Sequence, residues 1–284
     1  MALMACQGST IQLWRFYDKL LSETLTGPRQ RFLEIASGSG HLSLGLIGDS
    51  TFDSIILSDI SPRFMRLLKD KVARAFPAST KKLSYCLFDA NYLPFEASQF
   101  DVVGGNSVLH HFLNFEETLK SAYRVLRTGG VAVFGEPCMD SHVFTSMAAR
   151  LIAECCRRND NHPLSQYDLM IMDAVSQIAG QKLRNLNGPR DHLLSVEDKF
   201  VFPSHEMHLL SKNVGFRSFE CFSPKVVGFS QVIKGQLRQF FIQQKIDLAK
   251  LDHFDYLFES IGSTYEAGMA GSLKMPFSLF LFIK

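Results

Sequence analysis

Phe32-Leu-Glu-Ile-Ala-Ser-Gly-Ser-Gly40 is the stretch on which the reading of this chain turns. Arg31 to Ala36 is a short apolar run of strand character. It ends in a Ser/Gly loop, and Leu42, Leu44, Leu46 and Ile47 then recur at helical spacing, so the segment reads strand, glycine turn, helix. Gly38 and Gly40 permit close backbone approach to a ligand, and the free N–H groups at the start of the helix can receive one. A tight turn would need the same two glycines, so the loop by itself does not decide the function. Asp59 comes 19 residues after Gly40, at the end of the next β-branched run, where a carboxylate can accept two hydrogen bonds from a ribose diol. An aspartate in that place also suits a helix cap, and Ser61-Pro62 beside it offers another. Nicotinamide and adenosyl cofactors both fit this much.

Outward from the loop the alternation repeats. Ser54 to Ser58 reads as a strand, Pro62 to Phe76 as a helix, Leu83 to Phe88 as a strand, and Asp101 to Gly104 begins another. Phe115 to Leu126 is the next helix, with Gly129-Gly130 expected at its C-cap, and Val131 to Gly135 a fifth strand. Strands separated by helices of this length pair in parallel through right-handed crossovers. Before them, Leu13, Phe16, Tyr17, Leu20 and Leu21 place an amphipathic helix over Ile11 to Leu25, stopped by Gly27-Pro28. After Pro137 the rhythm changes: Phe144 to Arg158 and Gln166 to Ala179 are helical, Ser204 to Asn213 resumes the core, and Phe216 to Phe222 is a strand. A largely helical piece from Gln231 to Ile261 then precedes a terminal strand, Pro276 to Ile283.

At this point the residues resemble the class I S-adenosylmethionine-dependent methyltransferases. Glu34 stands where that family has the acid closing its first strand, and Ala36, Gly38 and Gly40 fill its three small positions, with Ser37 between them. Asp59 matches the ribose-binding acid, Ile60 lies beside the adenine, and Asp89-Ala90 in Phe88-Asp-Ala-Asn-Tyr-Leu-Pro-Phe95 matches a third position facing the adenine amino group. Gln99-Phe-Asp-Val-Val-Gly-Gly-Asn-Ser-Val-Leu-His-His-Phe112 resembles the fourth motif and brings Asn106, Ser107 and His111 to the cofactor. Arg124-Val-Leu-Arg-Thr-Gly-Gly-Val-Ala-Val-Phe134 resembles the helix, turn and fifth strand. The resemblance covers residues 31–137. It implies a Rossmann-like, doubly wound seven-stranded sheet with an antiparallel last strand, and S-adenosyl-L-methionine as cofactor. It also lets Tyr17 and Arg15 on the first helix close over that cofactor. A nicotinamide reductase would want a third glycine where Ser43 stands.

Methyl transfer is an in-line displacement at a sulfonium carbon, so the enzyme must hold the nucleophile, exclude water and, where needed, remove a proton. His110, His111 and Glu136, at the ends of the fourth and fifth strands, are the base candidates, since an imidazole suits a phenolic or hydroxyl proton. Asn106-Ser-Val-Leu is not the Asn-Pro-Pro-aromatic loop of amide and exocyclic-amine methylation. Cys138 has no companion element for cytosine chemistry. The strand-four end lacks the carboxylates of magnesium-dependent catechol enzymes, so no metal is expected.

Hydrophobic residues make up 46% of the 284, enough for a substantial core, and Lys and Arg total 30 against 28 Asp and Glu. Basic clusters go no further than pairs such as Lys81-Lys82 and Arg157-Arg158, which gives no sign of a polyanion, and no stretch reaches the roughly 18 apolar residues of a membrane span. The six cysteines show no Cys-x-x-Cys spacing and read as buried free thiols in a reducing cytoplasm. The expectation is therefore one methyltransferase domain over residues 1–284, with a cofactor core at 31–137. Segments 138–200 and 226–271 are expected as helical cap insertions that recognise substrate, walled by Phe144, Met147, Met170, Met172, Phe229, Phe240, Phe241, Tyr256, Phe258 and Tyr265. The favoured acceptor is a hydroxyl of a small natural product, in a cytoplasmic enzyme that does not bind nucleic acid or membrane and that can form a homodimer. Glycan or glycolipid methylation, C-methylation, and a non-catalytic partner subunit stay open.

Overall fold

The alternation of strand and helix is realised in the computed structural model, which describes residues 2–49, 51–77, 82–159, 161–223, 228–268 and 277–284, with side chains from residue 10 onward. The chain divides into two units, the first holding Met1–Glu136, His205–Phe222 and Leu279–Lys284. In chain order this unit carries α1 (Ala2–Thr24), β1 (Arg31–Glu34), α2 (Ser43–Asp49), β2 (Ser54–Asp59), α3 (Pro62–Ala75), β3 (Leu83–Leu87), β4 (Phe100–Asn106), α4 (Phe115–Val125) and β5 (Leu126–Pro137). The second unit, Pro137–Ser204 with Ser223–Ser278, carries α5 (Met139–Arg158) and α6 (Gln166–Asn187). The chain re-enters the first unit for α7 (Ser204–Val214) and β6 (Ser218–Phe222). It adds α8 (Phe229–Gln243), α9 (Ala249–Asp252) and α10 (Asp255–Gly268) to the second unit, and ends on β7 (Phe277–Ile283).

The strands form one seven-stranded sheet in the order β3-β2-β1-β4-β5-β7-β6. β1 pairs in parallel with both β2 and β4, and β4 with β5, as helical crossovers require, whereas β6 and β7 are antiparallel. Because β1 is followed on one side by β2 and on the other by β4, the chain leaves it in opposite directions, and a crevice opens at the carboxyl ends of β1 and β4. In an open α/β sheet that is where ligands bind.

Local sequence explains the supports of this crevice. α3 starts where Ser61 Oγ accepts the Phe64 N–H at 3.3 Å with Pro62 in the first turn, and it buries Met65, Leu68 and Val72 at helical spacing. α1 and α2 touch backbone to backbone because Gly45 has no side chain: a Cβ there would stand 2.2 Å from the Thr10 carbonyl oxygen. Trp14, Phe32 and Phe52 fill the space beneath them edge to face, with ring centroids 5.2 to 6.4 Å apart.

Several boundaries differ from expectation. α1 begins at Ala2, nine residues before the apolar periodicity that marks it, and α5 and α6 extend beyond their apolar stripes. Gly129-Gly130 does not cap α4, which ends at Val125. The pair lies within β5, where Gly129 takes φ +75° at an irregularity in the β4–β5 register and donates its N–H to the Lys284 carbonyl. Gln231 to Ile261 is broken into α8, α9 and α10, with Lys245 at φ +56° in the first break.

The second unit has a core of its own, built from Ala149, Ile152, Met172, Phe229, Phe241 and Phe258 among others, with Phe229 stacked on Tyr265 at 3.9 Å. Of the residues expected to wall a pocket, Met172, Phe229, Phe241, Phe258 and Tyr265 are thus buried in this core, while Met147, Met170 and Tyr256 are exposed. Cys138 and Cys156 are buried, but Cys86, Cys155 and Cys221 are only half-buried. The side chains of Cys6 and Lys81, Pro276, and residues 226, 227 and 269–271 of the second insertion lie outside the described residues. Among the described residues, no helix is long and apolar enough to cross a membrane.

Candidate active site

β1 delivers Glu34 to the crevice, and the loop after it is shaped by three positive φ angles: Ala36 at +47°, Gly38 at +53° and Gly40 at +93°. Ala36 therefore occupies a left-handed conformation that glycine would adopt without strain. A Cβ on Gly38 would meet nothing within 4 Å, which leaves the space over the loop open. Asp59 ties this loop to the start of α3: one carboxylate oxygen accepts the Gly38 N–H and the other the Ser61 N–H, both at 2.8 Å. Each oxygen keeps lone pairs for a further donor. Ile60 beside it is 68% exposed, an uncovered apolar side chain at the rim of a polar cleft.

Glu34 is fully buried, and among the described residues its Oε2 has no hydrogen-bond partner. Burial pushes its carboxyl from 4.5 up to about 8, Asp59 adds repulsion, and the Ser43 hydroxyl, outside hydrogen-bonding geometry, offsets a part of this. Such a group calls for a cationic donor.

Tyr17 enters the same place from α1. It is wholly buried, with its hydroxyl 3.0 Å from the Gly105 carbonyl and 3.1 Å from Asn106 Oδ1 at the end of β4. Burial raises its pKa well above 10, and the charges of Glu136 and Glu34 raise it further, so the three groups share one electrostatic neighbourhood. Arg15, expected beside Tyr17, is turned away: it is exposed and pairs with Asp49 at 3.0 Å.

The end of β4 turns sharply. Ser107 sits at φ +57° and donates its N–H to the Gly135 carbonyl at 2.7 Å, and Leu109–His111 then form one 3₁₀ turn. Glu136, at the end of β5, closes that turn from below. Its Oε1 accepts the N–H groups of Val108 and Leu109 at 2.9 and 2.8 Å, and its Oε2 accepts the His110 N–H at 3.4 Å and lies 2.6 Å from His110 Nδ1. With Glu136 fully buried and its oxygens engaged by four donors, its geometry is that of an anchor for the turn and not of a base open to substrate. A carboxylate only accepts, so Nδ1 is the ring nitrogen that donates in this contact. His111 is partly exposed, its ring 4.0 Å from that of His110.

After β3, Ala90 is buried and Asp89 exposed, and Asp89 Oδ1 accepts both the backbone and side-chain N–H groups of Asn91 at 2.9 Å.

Residues 33–134, which span this loop and β1 to β5, match the family described as a methyltransferase domain. That segment is a class I S-adenosylmethionine-dependent methyltransferase domain. The ubiquinone/menaquinone biosynthesis C-methyltransferase UbiE of Azotobacter vinelandii is 31% identical over 46% of this chain and 51% of its own. The reducing polyketide synthase Preu2 of Preussia isomera is 28% identical over 38% of this chain and 5% of its own. The chain thus spans about half the length of the first and a small part of the second. The fold as a whole is shared with the YcgJ protein from Bacillus subtilis, at a TM-score of 0.53 with 11% identity over 97% of each chain.

The first unit therefore brings together Tyr17, Glu34, Asn106, His110 and Glu136 at the ends of β1, β4 and β5, and sets the Gly38–Asp59 contact beside them. Three participants are not among the site residues that the sequence proposes: the Gly105 carbonyl, the Ser43 hydroxyl and Asn91. A main-chain oxygen has no residue-type signal. Asn91, by contrast, stands two residues after an acid, a spacing at which it can bond back to that acid.

Proposed function

We propose that this protein transfers a methyl group from S-adenosylmethionine to a small molecule whose attacking atom is generated by removal of a proton, with His110 as base and Glu136 as the residue that orients it. The observation that carries this reading is the buried Glu136–His110 contact beside Tyr17 and Glu34. The residues suit the cofactor: Glu34, with its unpartnered oxygen, would take the amino group, Asp59 the ribose diol, Ile60 a face of the adenine, and the open space over Gly38 the backbone-contacting part. When bound, the cofactor supplies the electrophilic methyl.

A phenol or an enolisable carbonyl compound gives an anion that attacks through oxygen or carbon, and one base serves both. The sequence favours a hydroxyl of a natural product. The name of the UbiE relative, a C-methyltransferase, favours carbon, and we take carbon as the attacking atom, in an acceptor with an enolisable or phenol-activated position. A cytoplasmic protein acting alone or as a homodimer is in keeping with this.

The test is calorimetric titration of the protein with S-adenosylmethionine and, separately, NADPH, with Asp59→Ala alongside. Mass spectrometry of phenols and β-dicarbonyls incubated with methyl-labelled cofactor then locates the new bond. Binding of the sulfonium alone, weakened in the variant, and carbon-linked label support the proposal. Oxygen-linked label restores the hydroxyl reading, and a folded protein that binds no cofactor sinks both.

A further inference from the structure

The carboxyl end of α6 and the loop that follows it enclose a cavity of about 600 Å³ on which the methyl transfer above makes no call. Its wall comes from one continuous stretch of the second unit, Gln181 to His192. Gly188 lets the chain turn close against the helix end, since a Cβ there would stand 2.8 Å from the Arg184 carbonyl oxygen. Arg184 brings to the wall an exposed guanidinium with no ion-pair partner among the described residues. His192 is held in place by Asn185, which is buried. Asn185 Nδ2 donates to the Lys199 carbonyl at 3.0 Å, and because a carbonyl only accepts, the amide is fixed with Oδ1 toward the ring, 3.3 Å from His192 Nε2. Nε2 is therefore a donor, and among the described residues Nδ1 has no protein partner. Gln181 and Asn187 add two side-chain amides, and no carboxylate lines the cavity. A helix carboxyl end repels anions. Arg190 sets a second cation against that end: its Nη2 donates to the Leu186 carbonyl at 3.4 Å while its guanidinium lies 4.9 Å over the Phe200 ring.

We infer that this cavity is a second binding site, for a small hydroxylated molecule that carries an oxyanion, a phosphate ester or a carboxylate. The Arg184 guanidinium presents its donors in a fork that matches either oxyanion with two parallel hydrogen bonds. His192 has the complementary part. With Nε2 committed as donor, the neutral ring offers Nδ1 as an acceptor, which suits a hydroxyl of the ligand. The volume lies within the range of about 300–1,000 Å³ that small-molecule sites occupy, more than a bare ion fills, and walls of amide, imidazole and guanidinium favour a polyhydroxyl body over a hydrocarbon. Because every residue in it belongs to the second unit, the inference stands apart from the methyl-transfer reading.

The experiment titrates glucose 6-phosphate, glucuronate, inorganic phosphate and glucose into the full chain, and into Arg184→Gln, His192→Phe and, as a control, Arg63→Gln on the exposed face of α3, with thermal unfolding of each. Wild type is expected to bind a hydroxylated anion at least about tenfold more tightly than glucose, as a charge-assisted hydrogen bond implies. Binding of glucose 6-phosphate alone identifies the oxyanion as phosphate, and binding of glucuronate alone as carboxylate. Arg184→Gln is expected to weaken the anion about tenfold and Arg63→Gln to leave it unchanged. His192→Phe should weaken the hydroxylated anion severalfold without moving inorganic phosphate, a split that a structural role would not produce. Arg184 and His192 are exposed, so both variants should melt like wild type. The inference is overturned if folded wild type binds no anion more tightly than about 10 mM, if Arg184→Gln binds as wild type does, or if Arg63→Gln weakens binding as much, which would mean adventitious attraction to exposed cations.

Discussion

His110 Nδ1 stands 2.6 Å from Glu136 Oε2, with both side chains closed off from solvent. The same carboxylate holds three backbone N–H groups of the turn that carries the imidazole, so turn and ring are placed by one residue. His110→Asn, which keeps a donor toward Glu136, is expected to lower kcat by about 10² to 10⁴ while S-adenosylhomocysteine binds as before. Activity within a few-fold of wild type would remove His110 from the role of base.

Glu136→Gln is expected to fail differently. An amide there turns an NH₂ group toward donors that need an acceptor, a mismatch that costs about 1–3 kcal/mol for a buried group. Its melting point should fall as well as its activity. A variant that loses turnover but melts like wild type would show that Glu136 acts on the substrate directly.

Glu34 predicts a pH dependence of unusual sign for a carboxylate. Its folded pKa is raised, from 4.5 to about 8, so between those values the folded protein holds a proton that the unfolded chain has released. Stability therefore declines as pH climbs through that window, and this contribution levels off above it. Glu34→Gln should remove the penalty and stabilise the cofactor-free protein at pH 7, by about 3 kcal/mol at most. Binding of the cofactor's amino group should expel the proton. In wild type, affinity for S-adenosylhomocysteine is then expected to rise as pH approaches 8, with proton release detectable by calorimetry in buffers of different ionisation enthalpy. The glutamine variant should bind about 10- to 100-fold more weakly, as expected for loss of a charged hydrogen bond. Flat affinity between pH 6 and 8 would contradict the assignment.

Ala36, at φ +47°, bears strain that glycine would not. Ala36→Gly is expected to leave cofactor affinity unchanged and to raise stability by up to about 1 kcal/mol, the relief of a left-handed residue less the added freedom of the unfolded chain. Urea unfolding measures the difference. A destabilised variant would mean that the Ala36 methyl packs against something the loop needs.

Much of the fold and of the site is legible in the amino-acid sequence. The Phe32–Gly40 segment, the acids at Asp59 and Asp89 and the alternation to Pro137 carry period and spacing signals that local chemistry fixes, and the strands fall where those signals put them. The end of α4 is different, because a glycine pair marks a C-cap and a strand irregularity equally well, and only the Gly129–Lys284 contact, far apart in sequence, decides between them. The role of Glu136 is hidden for a similar reason. An acid at a strand end reads as a candidate base, and what makes it an anchor is a set of main-chain donors from Val108 to His110. Likewise Arg15 stands only two residues before Tyr17, yet that spacing puts it on the other side of α1, where it pairs with Asp49, 34 residues on.

The backbone contact of α1 with α2 at Gly45 has a consequence for mutational mapping. α1 carries Tyr17 and α2 begins just after the glycine loop, so the depth of that seam sets the gap between the tyrosine and Glu34. Gly45→Ala forces a methyl against the Thr10 carbonyl and Trp14, and the helices must part. In a saturation scan selected on activity, positions 10, 14 and 45 should therefore score beside the residues that hold the cofactor, though none of them faces the crevice. Their signature would be a tolerance ranked by side-chain volume and indifferent to charge chemistry, the reverse of the ranking at Glu34 and Asp59.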